Sequence, residues 1–146
     1  MPTTLKFTTP IAIETVLSTG LNSRPSDEGA ISAALTVDAL LYADFELAVT
    51  FGVAPTAGKV CELYLVRQID GTNDEDYSTS SVAYGPANGY VGAFPVRAVT
   101  TAQRIIVPGV LLPSLDFKVL LINRTGQTMA ASGNTLKARR SSLQGV

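Results

Sequence analysis

The chain has 146 residues, of which 46% are hydrophobic and 16% are charged, a length that suits one domain and a composition too apolar for a disordered chain. It has no histidine and one cysteine, which excludes a Ser-His-Asp triad, a Cys-His dyad, histidine-containing metal sites and an intramolecular disulfide. With 11 basic and 12 acidic residues, the net charge of −1 gives no reason to expect nucleic acid as a partner. We therefore expect a non-enzymatic protein that has no metal or other cofactor.

The N-terminal segment MPTTLKFTTP lacks the basic region and apolar core of a secretory signal. The longest uninterrupted apolar stretches, such as residues 39–43, are far shorter than the roughly 20 residues that a membrane helix needs. We expect a soluble protein that is made in the cytosol and has no membrane partner. The lone Cys61 lies in an apolar pattern and is interpreted as a small buried hydrophobic residue.

The first predicted strands are residues 11–18, where apolar and polar side chains alternate, and residues 30–37, where Ala and Ser also suit a helical turn. Residues 44–51 and 59–69 alternate more clearly, so each has one apolar face. The residues on those faces are Phe45, Leu47, Val49, Leu63 and Leu65. Because the Gly- and Pro-containing residues 52–58 join the two runs, we predict that the two strands are adjacent and antiparallel in one hairpin.

Residues 70–90 form a long polar segment, which we predict to be the most exposed and mobile internal part of the chain. Its acidic start, DGTNDED at 70–76, has the oxygen density that Ca²⁺ requires. It differs from an EF-hand loop because Gly71 is at the second position and Ser81 at the twelfth. We therefore prefer a solvated acidic turn to a metal site.

Three tyrosines around this segment, Tyr77, Tyr84 and Tyr90, are candidates for a sugar-stacking surface or an interface anchor. Half-packed tyrosines on a loop are an equally open interpretation. Carboxylate pairs can hydrolyse glycosides, and the nominees here are Glu62 and the pair Asp44 and Glu46. Since Asp44 and Glu46 lie on the polar face of a strand, where charges are expected anyway, we predict no catalytic residue.

Further short apolar runs at 92–99, 103–107 and 116–123 and a last strand at 135–139 are separated by Gly and Pro turns. In the 116–123 run we expect Phe117, Val119 and Leu121 to be in the core. This spacing predicts a single-domain antiparallel β-sandwich, jelly-roll-like, with about seven to nine strands.

The ends of the chain lack a clear apolar pattern. We predict an extended N-terminal arm at 1–9, a sandwich domain at 10–139 and a flexible C-terminal tail at 140–146, with neither end ordered by the rest of the chain.

Charge is unevenly divided along the chain. Residues 1–96 carry four basic and eleven acidic side chains, whereas residues 97–146 carry seven basic side chains and one acidic. Strands from the two regions can interleave and cancel this charge locally, or the regions can form complementary faces that join neighbouring copies. Interleaving is the preferred interpretation.

Three shorter motifs carry little chemistry. The glycosylation pattern Asn123-Arg124-Thr125 is interpreted as a chance match in the absence of a signal peptide. Residues 85–92 lack the lysine of a phosphate-binding loop. The basic side chains of Lys137, Arg139 and Arg140 would add only weak affinity for phosphate.

Five segments in order carry a resemblance to a known group of proteins: ADFELAVTFG, KVCELYLVRQIDGTN, VGAFPVRAVTTAQR, VLLPSLDFKVLLINRTGQT and ASGNTLK. Together they cover roughly residues 40–137. This order of strand and turn segments resembles small virion structural proteins of tailed bacteriophages. Several of those are capsid decoration, or cement, proteins built on β-sandwich or jelly-roll folds. The pattern names no binding residue that can be transferred.

The resemblance implies a non-enzymatic capsid decoration protein that stabilises the capsid shell and lies on the capsid surface of the virion. The implied partners are the major capsid protein and further copies of the chain, most simply in a trimer. Two alternatives stay open: a carbohydrate- or receptor-binding module of the virion, and a head–tail connector or tail component.

Overall fold

The computed structural model describes residues 4–36 and 38–145, and its regular structure is β-strand apart from a short 3-10 helix at Thr19–Leu21. In chain order the strands are β1 (Leu5–Phe7), β2 (Glu14–Leu17), β3 (Gly29–Ile31), β4 (Tyr42–Val49), β5 (Val60–Arg67), β6 (Tyr90–Pro95), β7 (Gln103–Leu111), β8 (Phe117–Arg124), β9 (Thr135–Ser141) and β10 (Leu143–Gly145). The all-β prediction is confirmed. No helix in this described part of the chain is long and apolar enough to cross a membrane.

Eight of these strands form two four-stranded antiparallel sheets: sheet I has the order β2-β9-β4-β7, and sheet II has the order β3-β8-β5-β6. The pairs nest around the connection between β5 and β6, because β4 pairs with β7, β3 with β8, β2 with β9 and β1 with β10. The predicted sandwich is confirmed. The nested order favours a jelly-roll connectivity, which stays a prediction.

The core lies between the inner faces of the two sheets, where every second residue of β4 is buried, as its alternating sequence predicts. All eight residues predicted to be in the core are buried: Phe45, Leu47, Val49, Leu63, Leu65, Phe117, Val119 and Leu121. Cys61 is buried beside them, and loss of solvent together with the charge of Glu62 raises the pKa of its thiol to about 12.

The predicted hairpin between residues 44–51 and 59–69 is wrong. β4 pairs with β7 and β9 in sheet I, whereas β5 pairs with β6 and β8 in sheet II. Residues 52–58 therefore cross from one sheet to the other. Alternation identified the buried face of each strand correctly. Two strands that face one core from opposite sheets show the same alternation as two neighbours in one sheet.

Strand lengths differ from prediction mainly in edge strands. β3 ends at Ile31, well short of the predicted 30–37 strand, of which Val37 lies outside the described residues. β7 continues beyond its predicted end at residue 107 to Leu111. Pro108 is tolerated within β7 because an edge strand has one side without a neighbouring strand, so a missing N–H costs no ladder bond.

The two ends of the chain pair with each other. β1 and β10 form a two-stranded ribbon, with Phe7 opposite Leu143, and the hydroxyl of Thr8 donates to the carbonyl oxygen of Ser142 at 3.2 Å. The expectation that nothing in the chain orders its ends is therefore wrong for these residues. Three-residue strands paired across the whole chain length leave no periodic signal in the sequence.

The division into residues 1–9, 10–139 and 140–146 stays a prediction. β9 runs to Ser141, so one continuous strand crosses the boundary placed at residue 139. Residues 1–3 of the predicted arm and residue 146 of the predicted tail lie outside the described residues.

Candidate functional site

The acidic turn at 70–76 binds its own backbone rather than presenting a cage of free oxygens. The Asp70 carboxylate accepts hydrogen bonds from the backbone N–H groups of Thr72 and Asn73 at 2.9 and 2.7 Å, and from the Asn73 side chain at 2.7 Å. These hydrogen bonds lower the pKa of Asp70 to about 2, and the two bonds from Asn73 have the largest effect. This is an Asx turn.

The other acids of the turn also contact protein groups. Asp74 forms an ion pair with Lys118 at 2.7 Å, Glu75 accepts from Arg67 at 3.0 Å, and Asp76 accepts from the Tyr84 hydroxyl at 3.1 Å. No group of three His, Cys, Asp or Glu side chains that could hold a metal is present in residues 4–36 and 38–145. The preferred interpretation of a turn without a metal stays a prediction.

The carboxylates nominated for glycoside hydrolysis lie on two different sheets. Glu62 lies on sheet II, where it accepts a hydrogen bond from the Tyr64 hydroxyl at 3.1 Å and pairs with Arg124 at 3.2 Å. Asp44 and Glu46 lie on the outer face of sheet I, on the opposite side of the sandwich. Glu62 therefore cannot act together with Asp44 or Glu46, and the absence of a catalytic residue stays a prediction.

The glycosylation pattern at residues 123–125 is a structural turn. The Asn123 side chain is buried; its NH₂ group donates to the carbonyl oxygens of Arg24 and Gln127, and its oxygen accepts from the backbone and hydroxyl of Thr125. These four bonds satisfy the amide, which explains why a polar residue is tolerated at the end of an apolar strand.

The charge segregation along the sequence is cancelled in space, because strands from both regions interleave. Four basic residues from 97–146 pair with acids from the first region. The pairs are Arg104 with Glu46, Lys118 with Asp74, Arg124 with Glu62 and Asp27, and Arg140 with Glu14 and Asp38. This is the interpretation that the sequence favoured.

Residues 70–90 cover the outer face of sheet II. Ala83 is buried against Val66, Leu120 and Ile122, which point away from the main core, so that a second apolar cluster lies between the sheet and this segment. The expectation that 70–90 is the most exposed internal stretch is wrong for the residues that form this contact. The segment is polar in composition, and it contacts the sheet through Ala83 and Tyr77, whereas Val82 is exposed.

Arg124 on β8 binds residues 70–90, the covering segment, to sheet II. Its guanidinium donates to the backbone carbonyl of Ala83 at 2.6 Å and contacts the carboxylates of Asp27 and Glu62 at 3.0 and 3.2 Å. The segment also has a close contact that permits only glycine, since a Cβ atom at Gly85 would overlap the ring of Tyr64.

The three candidate tyrosines are not in one cluster. Tyr77 packs against the second apolar cluster, whereas Tyr84 and Tyr90 are about half exposed. Tyr90 stands edge-on to Tyr64, with ring centroids 5.5 Å apart. Burial, followed by the charge of Glu62, raises the pKa of Tyr64 above its ordinary value. Beside Tyr84 lies a shallow hollow of about 510 Å³ that Asn88 also lines.

The outer face of sheet I is different: Phe7 of the terminal ribbon contacts Tyr42 at one end of it, and the rest carries exposed side chains. It contains a groove of about 370 Å³ that crosses β9, β4 and β7 and reaches Ile13, just before β2. Large apolar side chains are exposed on it, with Ile13 64%, Ile106 58% and Leu111 64% exposed. The groove also has a charged lining: Asp44, Glu46, Arg104, Lys137 and Arg139. This bare face of sheet I is the candidate interaction site.

Sequence reasoning missed Ile13 and Ile106 as surface residues. Neither the alternation at residues 11–18 nor the apolar run at residues 103–107 marks these two isoleucines as exposed. A signal was present: in β7 the residues alternate in burial, so Ile106 shares the outward face of Arg104. An isoleucine that lies two residues from an arginine on an edge strand shares its outward face, which indicates an apolar site at the surface.

No known family model and no curated protein matches the chain. Among solved structures, the chain is similar to one from the infectious bursal disease virus Gt strain, with 11% identity and a TM-score of 0.28. The match covers 97% of this chain and 32% of that chain, so this chain spans about a third of the viral one. A likeness with this TM-score carries no inference about fold or function.

Proposed function

We propose that the chain is a non-enzymatic virion structural protein, acting as a homo-oligomeric decoration protein on a bacteriophage capsid. The bare face of sheet I is the observation that carries the proposal. A rigid sandwich that covers one outer face itself and leaves the other uncovered, with exposed isoleucines among charges, is built for assembly. The sequence resemblance supplies the class of assembly.

The terminal ribbon is the proposed contact to the major capsid protein. β1 presents Leu5 and Phe7, each 66% exposed, and within residues 4–36 and 38–145 its one strand partner is β10, so the ribbon has exposed apolar side chains outside the two sheets. Phe7 stands edge-on to Tyr42 at a centroid distance of 6.1 Å, which ties the ribbon to β4. Many such small contacts on one shell give high avidity without a strong single site.

Locating the chain in purified particles tests this role. We expect antibody labelling over the whole capsid shell in electron microscopy, and a copy number that scales with that of the major capsid protein in quantitative mass spectrometry. Labelling at a single vertex would instead indicate a head–tail connector or tail component. Absence from particles would contradict any virion role.

Removing residues 1–9 tests the ribbon. Since β1 pairs only with β10, we expect the truncated chain to keep its β-sheet circular dichroism and to bind capsids that lack the protein at least about tenfold more weakly. Lys6→Ala is the control, because its side chain is exposed and charged rather than apolar. Unchanged capsid binding by the truncated chain would rule out the ribbon as the contact.

A carbohydrate-binding module is the second candidate, favoured by one observation. The half-exposed ring of Tyr84 stands beside a hollow that also presents Glu75, Asp76 and Asn88, and an aromatic face with nearby carboxylate and amide groups suits a sugar. A glycan array separates the two candidates. Binding that is lost in Tyr84→Ala would support this module, whereas no binding to any glycan would remove it.

A further inference from the structure

The bare face of sheet I has an ordered pattern of side chains across its four strands. From the β2 edge to β7, the outward residues that line the groove fall into four columns: Ile13, just before β2; the basic Lys137 and Arg139 on β9; the acidic Asp44 and Glu46 on β4; and the apolar Ile106 and Pro108 on β7, which also carries Arg104. Register places the basic column directly beside the acidic one, because Arg139 is opposite Asp44 and Lys137 is opposite Glu46. The two middle columns are therefore opposite in charge, and exposed apolar side chains flank them on both sides, with Arg104 as an additional charge on β7.

The basic column has unused charge. Arg104, Lys118, Arg124 and Arg140 all form ion pairs, whereas Lys137 and Arg139 form none within the described part of the chain. On the neighbouring strand, Asp44 accepts a hydrogen bond from the backbone N–H of Gly109 at 2.7 Å and keeps its charge facing outward. Glu46 lies 3.8 Å from the exposed Arg104 of its own copy, a weak surface contact that a cation from a partner can join or replace.

We propose that this face binds the same face of a second copy of the chain. A two-fold axis that lies in the interface and runs along the strands, between β4 and β9, exchanges the two columns. It places Lys137 of each copy over Glu46 of the other, and Arg139 over Asp44. The flanking apolar columns also exchange, so that Ile13 of each copy meets the Ile106 and Pro108 column of the other.

The pattern also selects the orientation. A two-fold axis across the strands would place each charged column over the same column of the other copy, which sets like charges against each other and disfavours that orientation. Sheets that pack face to face keep their strand directions within about 30°, which the axis along the strands satisfies. Only a two-fold axis places one patch against itself, so this contact makes a dimer. The trimer expected earlier would need a different contact.

This inference deepens the homo-oligomeric part of the proposed function and rests on that part alone. In the dimer the apolar columns supply affinity, while the charges fix orientation and partner. Because the charged columns lie at the surface before association, the affinity falls as salt is added. Failure of the dimer would leave the location of the chain in particles untouched.

Analytical ultracentrifugation of the full-length chain and two variants tests the dimer. Lys137→Glu with Arg139→Glu makes both columns acidic, and Asp44→Asn with Glu46→Lys makes the face basic while keeping an oxygen for Gly109. We expect the native chain to be a dimer and each variant alone to associate at least about 100-fold more weakly. An equimolar mixture of the two variants should form a heterodimer. Rescue by mixing is something that a purely structural role of these residues cannot produce.

The matched control is Lys59→Glu with Arg97→Glu, which makes the same change in net charge at exposed residues outside sheet I. We expect this variant to dimerise like the native chain, and circular dichroism to show that all variants keep the β fold. A native chain that stays monomeric or is trimeric would overturn the proposal. So would a dimer that survives the charge reversals, or variants that fail to associate when mixed.

Discussion

The two sheets of the sandwich bury their inner faces in one core, but their outer faces differ. On sheet II the outward residues of β8 include Leu120 and Ile122, which are fully buried because residues 70–90 lie over them. On sheet I the outward residue Ile106 is 58% exposed among charged neighbours. An isoleucine that points away from the core thus has a cover inside the chain on one side and none on the other. The difference indicates which face is open to a partner.

The largest effect is expected from truncating one isoleucine on each outer face. Ile122→Ala should lower the free energy of unfolding by about 2–5 kcal/mol, because it leaves a cavity beneath the covering segment. Ile106→Ala, at a site open to solvent, should change the stability of the monomer by no more than about 0.5 kcal/mol. Urea denaturation at a concentration where the chain is monomeric measures both. Equal losses would show that the two faces are not different.

A smaller effect is expected from removing one arginine on each face. Arg124→Ala should cost about 1–3 kcal/mol, because the Ala83 carbonyl and two carboxylates lose a charged hydrogen-bond donor. It should also speed hydrogen exchange at the Ala83 N–H, which donates to the Asp27 carbonyl at 2.8 Å. Arg139→Ala on sheet I is the control and should leave the monomer unchanged. If the rate of hydrogen exchange at the Ala83 N–H is the same in Arg124→Ala as in the native chain, Arg124 does not hold residues 70–90 in place.

Cys61 lies in the core that both sheets share, and the pH dependence of stability that it causes tests whether this core excludes water. Its folded pKa of about 12 exceeds the ordinary value of 9.0, so the stability of the neutral buried thiol is complete below pH 9 and is lost as pH rises towards 12. Above pH 9 the free energy of unfolding should fall by about 1.4 kcal/mol per pH unit more steeply than in Cys61→Ala. Parallel pH profiles for the two chains would mean that water reaches the core.

The smallest effect is expected from adding Ca²⁺, which the acidic turn at 70–76 should not bind. Because Asp70, Asp74, Glu75 and Asp76 all contact protein groups, addition of millimolar Ca²⁺ should leave the thermal unfolding temperature unchanged. Isothermal calorimetry should show no binding heat. A rise in the unfolding temperature that Asp74→Asn abolishes would restore the calcium interpretation of the acidic turn.

The fold class and core were predictable because alternation is a local property. In β4 the apolar residues follow a period of two, so the sequence alone identifies Phe45 and Leu47 as buried. Strand neighbours were not predictable in the same way, and the false hairpin between β4 and β5 shows why. Which sheet a strand joins depends on contacts between residues far apart in the chain, and the ten-residue connection at 50–59 is long enough to cross the sandwich.

The two outer faces were predictable only in part. The unbroken apolar run of residues 119–122 in β8 already indicates a strand covered on both sides, but the polar composition of residues 70–90 hid the cover. On sheet I the bare face depends on the pairing of β4 with β9 and β7, which brings together residues from four separate segments. No local pattern records such a juxtaposition.

Hydroxyl-radical footprinting across a dilution series tests most directly whether the bare face is the one that meets a partner. As the concentration rises through the association range, we expect Ile13 and Ile106 to become protected, whereas Tyr84 and Tyr90 over sheet II keep a constant rate of modification. Protection at the tyrosines, or equal rates at the two isoleucines at every concentration in chains that do associate, would contradict the account.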